Sequence, residues 1–230
     1  MSADPRTLSA VRRVFSLTLV LVLVLALVLA LVAASAALAD RGDPKERSTP
    51  RDEARVQAML LRTSDFNAAF VAHPSSQGDG DFYCSALDES DLTLTGRGQS
   101  PNFTAGTEYV TSTASVYATR SDSNASWRRG TSKAGEQCLR IGLRSQLQGT
   151  AVRLVSFGRM GFPSRGTHSV AYRAVATVQG VRVYVDLVAM QVSRAQTGVV
   201  YVSALVPPPG DELRRLTGLV AARAERAMRA

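Results

Sequence analysis

Between residues 169 and 206, apolar and polar side chains alternate with a period of two, interrupted twice by short turn-forming stretches. That period belongs to a half-buried strand. Residues 169–178, 181–192 and 198–206 are therefore expected as three consecutive antiparallel strands, joined at Gln179-Gly180 and around residues 194–197. A two-residue hairpin at Gln179-Gly180 pairs Val178 with Val181, and the rest of the register follows by counting. Tyr172, Ala174, Ala176 and Val178 then share a face with Val181, Val183, Val185 and Leu187, the core face. Arg173, Val175 and Thr177 share the other with Arg182, Tyr184 and Asp186, and Arg173 falls opposite Asp186. A slip of one residue would bury that charged set, which pins the register.

Around these strands the pattern changes to helical. Thr49 is placed to cap a helix over residues 49–62, with Pro50 at its first position, Asp52 and Glu53 in the first turn, and Val56, Met59, Leu60 and Leu61 facing inward. Phe66 and Phe70 extend that apolar side. Leu92 to Thr95 alternate as a short strand closed by Gly96-Arg97-Gly98, and residues 109–119 are rich in β-formers. Residues 121–124 can cap a helix carrying Trp127, and a further helix over residues 132–147 spaces Ala134, Cys138, Ile141 and Leu143 for packing. After Pro207-Pro208-Pro209-Gly210, a last helix over residues 211–228 has acids first, arginines last, and an apolar stripe of Leu213, Leu216, Val220, Ala224 and Ala227. Strands in a run, flanked by helices, predict an α+β fold: an antiparallel sheet with helices packed on one face. The other sheet face would be open, making Arg173, Tyr184 and Asp186 a candidate ligand face. Arg173 and Asp186 read equally as an ordinary cross-strand ion pair worth at most ~1 kcal/mol.

The chain begins differently. Arg6, Arg12 and Arg13 precede 26 residues without a charge, residues 14–39. As a helix this run spans about 39 Å against a hydrocarbon core of about 30 Å. Residues 1–39 thus read as a signal peptide or as an N-terminal membrane anchor helix. Ala37-Leu38-Ala39 has the small-x-small form cut by signal peptidase, which would release a secreted protein after Ala39. Kept, the same run tethers the chain to the membrane with its N-terminus inside. Arg12-Arg13 also fits a twin-arginine export signal. Both fates place residues 40–48, read as a linker, and residues 49–230, read as a single domain, outside the cytoplasm.

Two cysteines, Cys84 and Cys138, lie in that exported part, where an isolated pair forms a disulfide. Formal charge falls from +8 to +6 when Arg6, Arg12, Arg13 and Asp4 leave with the segment. The remaining cations are almost all arginine, with no basic run interleaved with aromatics, so nucleic acid is not expected as a partner.

Catalytic chemistry has little to stand on. His73 and His168 are the two histidines, and neither sits in a recognisable pattern. A Gly-x-Ser-x-Gly elbow, a phosphate-binding glycine loop and a metal-spaced His/Cys cluster are all missing. Asp79 and Asp81 have the alternate spacing of a calcium loop without its remaining ligands. No catalytic residue, cofactor or metal is expected. Asn102-Phe103-Thr104 and Asn124-Ala125-Ser126 match the glycosylation pattern by accident of composition.

Several segments carry a likeness: Asp88-Glu89-Ser90-Asp91-Leu92-Thr93-Leu94-Thr95-Gly96, Ser100-Pro101-Asn102-Phe103, Cys138-Leu139, Ala171-Tyr172-Arg173 and Tyr184-Val185-Asp186-Leu187. With them the chain resembles uncharacterised exported proteins of actinobacteria, from about Met59 to Arg229. More distantly it is similar to the extracytoplasmic sensor domains of mycobacterial serine/threonine kinases. The resemblance implies an α+β domain with a cleft on one side of a sheet. Those domains carry more disulfides, and this chain has no kinase domain, so no functional residue transfers. The expectation is a non-enzymatic, sensor-like extracytoplasmic domain that binds a small anionic or amphipathic cell-envelope ligand. A structural or protein-interaction component of the envelope, with an unknown protein partner, is the alternative, and a hydrolase built on His73 or His168 a third.

Overall fold

In the computed structural model of the protein, residues 42–75 and 83–229 are described. Residues 1–39, read from the sequence as a signal peptide cut after Ala39 or as an anchor, and the Asp79/Asp81 pair lie outside those residues. Among the described residues nine strands form one sheet: β1 Lys45–Glu46, β2 Val71–His73, β3 Thr93–Gln99, β4 Asn102–Ala105, β5 Glu108–Tyr117, β6 Val152–Arg159, β7 His168–Val178, β8 Val181–Val192 and β9 Ala195–Ala204. Four α-helices accompany them among the same residues: α1 Pro50–Met59, α2 Arg120–Thr131, α3 Lys133–Leu147 and α4 Gly210–Arg229. The sheet runs β1-β3-β5-β9-β8-β7-β6, with β4 beside β5 and β2 outside β4. All pairings are antiparallel except β1 with β3.

The β7–β8 hairpin has the counted register throughout, from Val178 opposite Val181 to Arg173 opposite Asp186. Gln179 and Gly180 both take positive φ, 49° and 85°, the backbone that a two-residue hairpin turn demands. The next turn is tighter than expected. Val192 pairs with Ala195, so Ser193 and Arg194 close it and β9 starts three residues before Gly198. Ser193 accepts φ 57° there.

Gly96 and Gly98 do not end a strand as expected; they lie inside β3. Their place is set by α1. A Cβ on Gly96 would stand 2.9 Å from the backbone C and O of Asp52, and one on Gly98 2.7 Å from Val56 Cγ1. The missing side chains let the helix lie against the strand. Thr49 Oγ1 caps α1 by accepting from Asp52 N, and the helix ends at Met59 rather than near 62, with Leu60 in extended backbone and both Leu60 and Leu61 buried beyond it.

Helices cover both faces, which corrects the one-sided layering. Leu213, Leu216 and Val220 of α4 pack with Val188, Val199 and Tyr201, and Val56 and Met59 of α1 join Ala114, Val116 and Ala195. Leu143 and Leu147 of α3 pack instead with Val178, Val183 and Val202, and Ala125 of α2 lies against Leu92, Leu94 and Tyr117. Val183 and Val188 differ in parity along β8, so these layers are on opposite faces. The reason is in the strands: apolar residues occur at both parities of β8 and β9, and each face must be covered. Leu213, Leu216 and Val220 each stabilise the fold by roughly 1.5–3 kcal/mol.

Residues 42–48 are not a free linker. Gly42 and Pro44 are buried, Gly42 O accepts from Glu89 N at 2.6 Å, and Lys45–Glu46 pair with Thr93 and Leu94. The Cys84–Cys138 disulfide is present and ties α3 to the segment before Leu92. Ile141, expected to pack, is 49% exposed. β6 had no counterpart in the sequence pattern, because a register shift between Leu154 and Ser156 breaks its alternation and leaves Val155 outward. Among the described residues no helix is long and apolar enough to cross a membrane.

Candidate functional site

Arg173, Tyr184 and Asp186 do gather on the face shared with α4, as adjacent members of the β7–β8 ladder. Arg173 donates from Nε and Nη2 to Asp186 Oδ1 and Oδ2, each at 2.6 Å. Asp186 is wholly buried, with Tyr201 opposite it on β9. The bidentate bond holds the Arg173 guanidinium proton more tightly than usual. Both carboxylate oxygens are thus engaged by one partner, and the pair cross-links two strands; a third of the Arg173 side chain stays exposed.

The other face has a feature that follows from its rows. Residues directly opposite across paired strands share a face. Gln99, Thr113, Gly198, Ala189 and Val170 form one such row across β3, β5, β9, β8 and β7. From Thr113 onward its side chains are short. On one side stands the row Arg97, Ser115, Gln196, Gln191 and His168; on the other, Thr111, Val200, Leu187 and Tyr172. The result is a trough running across the strands. Gly198 deepens it, since a Cβ there would reach within 3.1 Å of Thr113 Oγ1.

Each wall has its own support. Gln196 Nε2 donates to Ser123 O at 2.8 Å, and Gln191 Nε2 donates to Ser123 Oγ at 2.9 Å, so the polar wall is held up by α2. Tyr172 OH donates to Glu136 Oε1 of α3 at 3.0 Å, and Arg159 of β6 also donates to that carboxylate. Burial and Glu136 together push the Tyr172 phenol up to about 12. Val200 and Leu187 are half-buried, although they sit on interior strands. Thr113, also on an interior strand, is exposed. The trough therefore reaches solvent at Thr113.

At that mouth lies a depression of about 490 Å3, lined by Arg97, Gln99, Thr113 and Ser115 with Glu46, Ser48, Glu53 and Ser75 around it. It occupies a gap in the outer strands: β1 pairs with Thr93 and Leu94, β2 reaches β4 from Asn102 on, and residues 97–99 lie between. Arg97 and Glu46 form an exposed pair at 3.6 Å. The mouth thus offers hydroxyl, amide, guanidinium and carboxylate groups, and the row beyond Thr113 offers aliphatic ones.

The two histidines are apart from each other. His73 Nε2 lies 3.0 Å from Thr104 Oγ1 on an exposed surface. His168 stacks on Trp127 with ring centroids 6.1 Å apart. Among the described residues neither is hydrogen-bonded to a serine or an acid, and no group of three or more His, Cys, Asp or Glu is arranged to hold a metal. Asn102, one of the two glycosylation-pattern asparagines, is buried and accepts from Tyr109 OH at 2.8 Å.

Sequence reasoning missed Gly198, Ala189 and Thr113 as a unit. Ala189 and Val170 could be aligned by counting along the β7–β8 hairpin, but β5 lies about 80 residues earlier, and its place beside β9 has no local signal. No protein-family model matches the chain, and no curated protein matches it.

Proposed function

We propose that this is a non-enzymatic extracytoplasmic binding domain, secreted or tethered by residues 14–39, whose ligand is a small amphipathic molecule of the cell envelope. The observation that carries this reading is the short-side-chain row Thr113–Gly198–Ala189–Val170, open to solvent at an interior strand. The apolar part of the ligand lies along Val200 and Leu187, and its polar part sits among Arg97, Gln99 and Ser115. A depression of about 490 Å3 suits a small molecule. The ligand is assigned to the trough rather than to Arg173, Tyr184 and Asp186 because the Asp186 carboxylate is buried and engaged by Arg173. Export is supported by the uncharged run with its basic flank and by the Cys84–Cys138 bond, a kind typical of oxidising compartments. The distant likeness to kinase-linked sensor domains accords with a cleft on one sheet face.

Ala189→Leu fills the trough without touching its polar mouth. Native mass spectrometry of the full chain, incubated in neutral micelles with an envelope lipid extract, is expected to show a bound adduct that Ala189→Leu removes while circular dichroism stays unchanged. Equal adducts on both proteins would exclude the trough.

One observation favours a second reading, a protein-interaction component of the envelope. β6 is an edge strand with Val155 52% exposed, and its free side can pair with another chain. Cross-linking in intact cells that traps a protein through β6, with no lipid adduct, would support it instead.

A further inference from the structure

A separate recess of about 450 Å3 lies where the start of α2, the β8–β9 turn and the last turn of α4 meet. Arg120, His168, Ser193 and Arg229 line it together with Asn124 and one carboxylate, Glu225. Its guanidinium groups are lightly engaged. Arg120 donates from Nε to Ser193 Oγ at 3.3 Å and makes no other bond among the described residues, so both Nη groups are free for a ligand. Arg229 approaches Glu225 only to 4.0 Å, with both side chains well exposed. Arginine forks match the oxygens of a phosphate, and cationic donors prevail here over one acid.

Two neighbouring features bear on the recess: the Ser193 backbone, set by the two-residue β8–β9 turn, and the Gln191 carboxamide. Ser193 is held at φ 57°, a backbone region costly for a residue with a side chain. Gln191 is buried, and its Oε1 has no hydrogen-bond partner. Its Nε2 donates to Asn124 Oδ1 at 2.8 Å, and it sits opposite His168 on β7, so it braces two residues of the recess from behind without lining it. A phosphate monoester supplies an anion that two guanidinium groups can hold.

The geometry points to a phosphate-binding site formed by Arg120 and Arg229, with His168, Ser193 and Asn124 as further polar contacts. It opens away from the depression at Thr113, although His168 also ends the polar wall of the trough. The phosphate can belong to a free ligand or to a lipid head group, and the chemistry that recognises it is the same.

The chain has one tryptophan, Trp127, and it stacks on His168, so its fluorescence reports on the recess. The full chain in neutral detergent micelles is titrated with inorganic phosphate, and in a second arm with phosphatidic acid added to the micelles. A saturable fluorescence change is expected in at least one arm: phosphate identifies a free ligand, phosphatidic acid alone a head group. Arg120→Gln with Arg229→Gln should raise the half-saturation concentration at least about tenfold in the responding arm, the effect of losing a charge-assisted bond. Glu225→Gln, a surface change that leaves the fold intact, should lower it several-fold. The site is overturned if neither arm saturates, if the double variant titrates like the parent, or if Glu225→Gln changes nothing.

Discussion

Arg194 donates from Nη1 and Nη2 to Asp52 Oδ2 and Oδ1 at 2.9 and 2.7 Å, joining the β8–β9 turn to α1 across 142 positions of sequence. Arg194 also donates to Tyr117 O at 2.6 Å, so one side chain holds a helix, a hairpin and the end of β5 together. Asp52 is buried. Arg194→Met should therefore destabilise the protein by about 3 kcal/mol, mostly because the buried Asp52 keeps its charge but loses its bidentate partner, with Arg55 left beside it. Chemical denaturation checks this, and Asp52→Asn with Arg194→Met should recover part of the loss.

Acid should unfold the protein through the same bond and its counterpart, in which Arg223 donates to both oxygens of Asp65 at 2.6 Å. Burial alone would raise both acids, but bonds from Arg194, Thr95 and Arg55 for Asp52, and from Arg223 and Arg62 for Asp65, bring them below the ordinary 3.8. With folded values lowered, the unfolded chain binds more protons in this window, so the stabilisation is complete above about pH 4 and is lost as pH falls below it. The urea midpoint should drop steeply there, and Asp52→Asn should flatten the slope.

Glu89 has the opposite sign. Burial raises it despite bonds from Ser126 and Tyr117, so its ionised form is the disfavoured one in the fold. Glu89→Gln retains an acceptor for Tyr117 OH, 2.9 Å away, without the charge. At neutral pH it should raise the melting temperature by roughly one to three degrees, an advantage that disappears below about pH 4.

Reduction removes the Cys84–Cys138 bond, which spans 54 positions. The chain-entropy model gives an upper figure of about 4 kcal/mol for such a loop. The melting temperature of Cys84→Ala with Cys138→Ala should fall by roughly ten degrees, and reductant should have no further effect on that variant.

Gly96→Ala should cost about 1–3 kcal/mol, since its Cβ would meet Asp52 backbone atoms at 2.9 Å and the helix must move away from β3. Gly158→Ala is the control: nothing lies within 4 Å of that Cβ, and urea midpoints should separate the two.

Much of this was legible in the residues themselves. Thr49 and Pro50 mark the start of α1, Leu213 to Ala227 give the buried stripe of α4, and Gln179-Gly180 carries the whole β7–β8 register. Each of these depends on neighbours a few positions apart, where periodicity and turn chemistry are decisive. Gly96 and Gly98 were misleading for the converse reason. A glycine looks the same in sequence whether it closes a strand or admits a helix, and only α1 lying 2.9 Å from a notional Cβ distinguishes them.

Local pattern carried the β7–β8 hairpin, the Thr49 cap of α1, the cysteine pair and the opposition of Arg173 to Asp186, but it put the cap of α2 at residues 121–124, whereas Thr119 serves. Long-range packing set β5 between β3 and β9, put helices on both faces, and aligned Thr113, Gly198, Ala189 and Val170 into one open row. Alternation tells which residues share a face along one strand, but not which distant strand pairs beside it or which face a helix will cover. Those choices rest on contacts such as Asp52 with Arg194, between parts of the chain that meet only when the whole core closes.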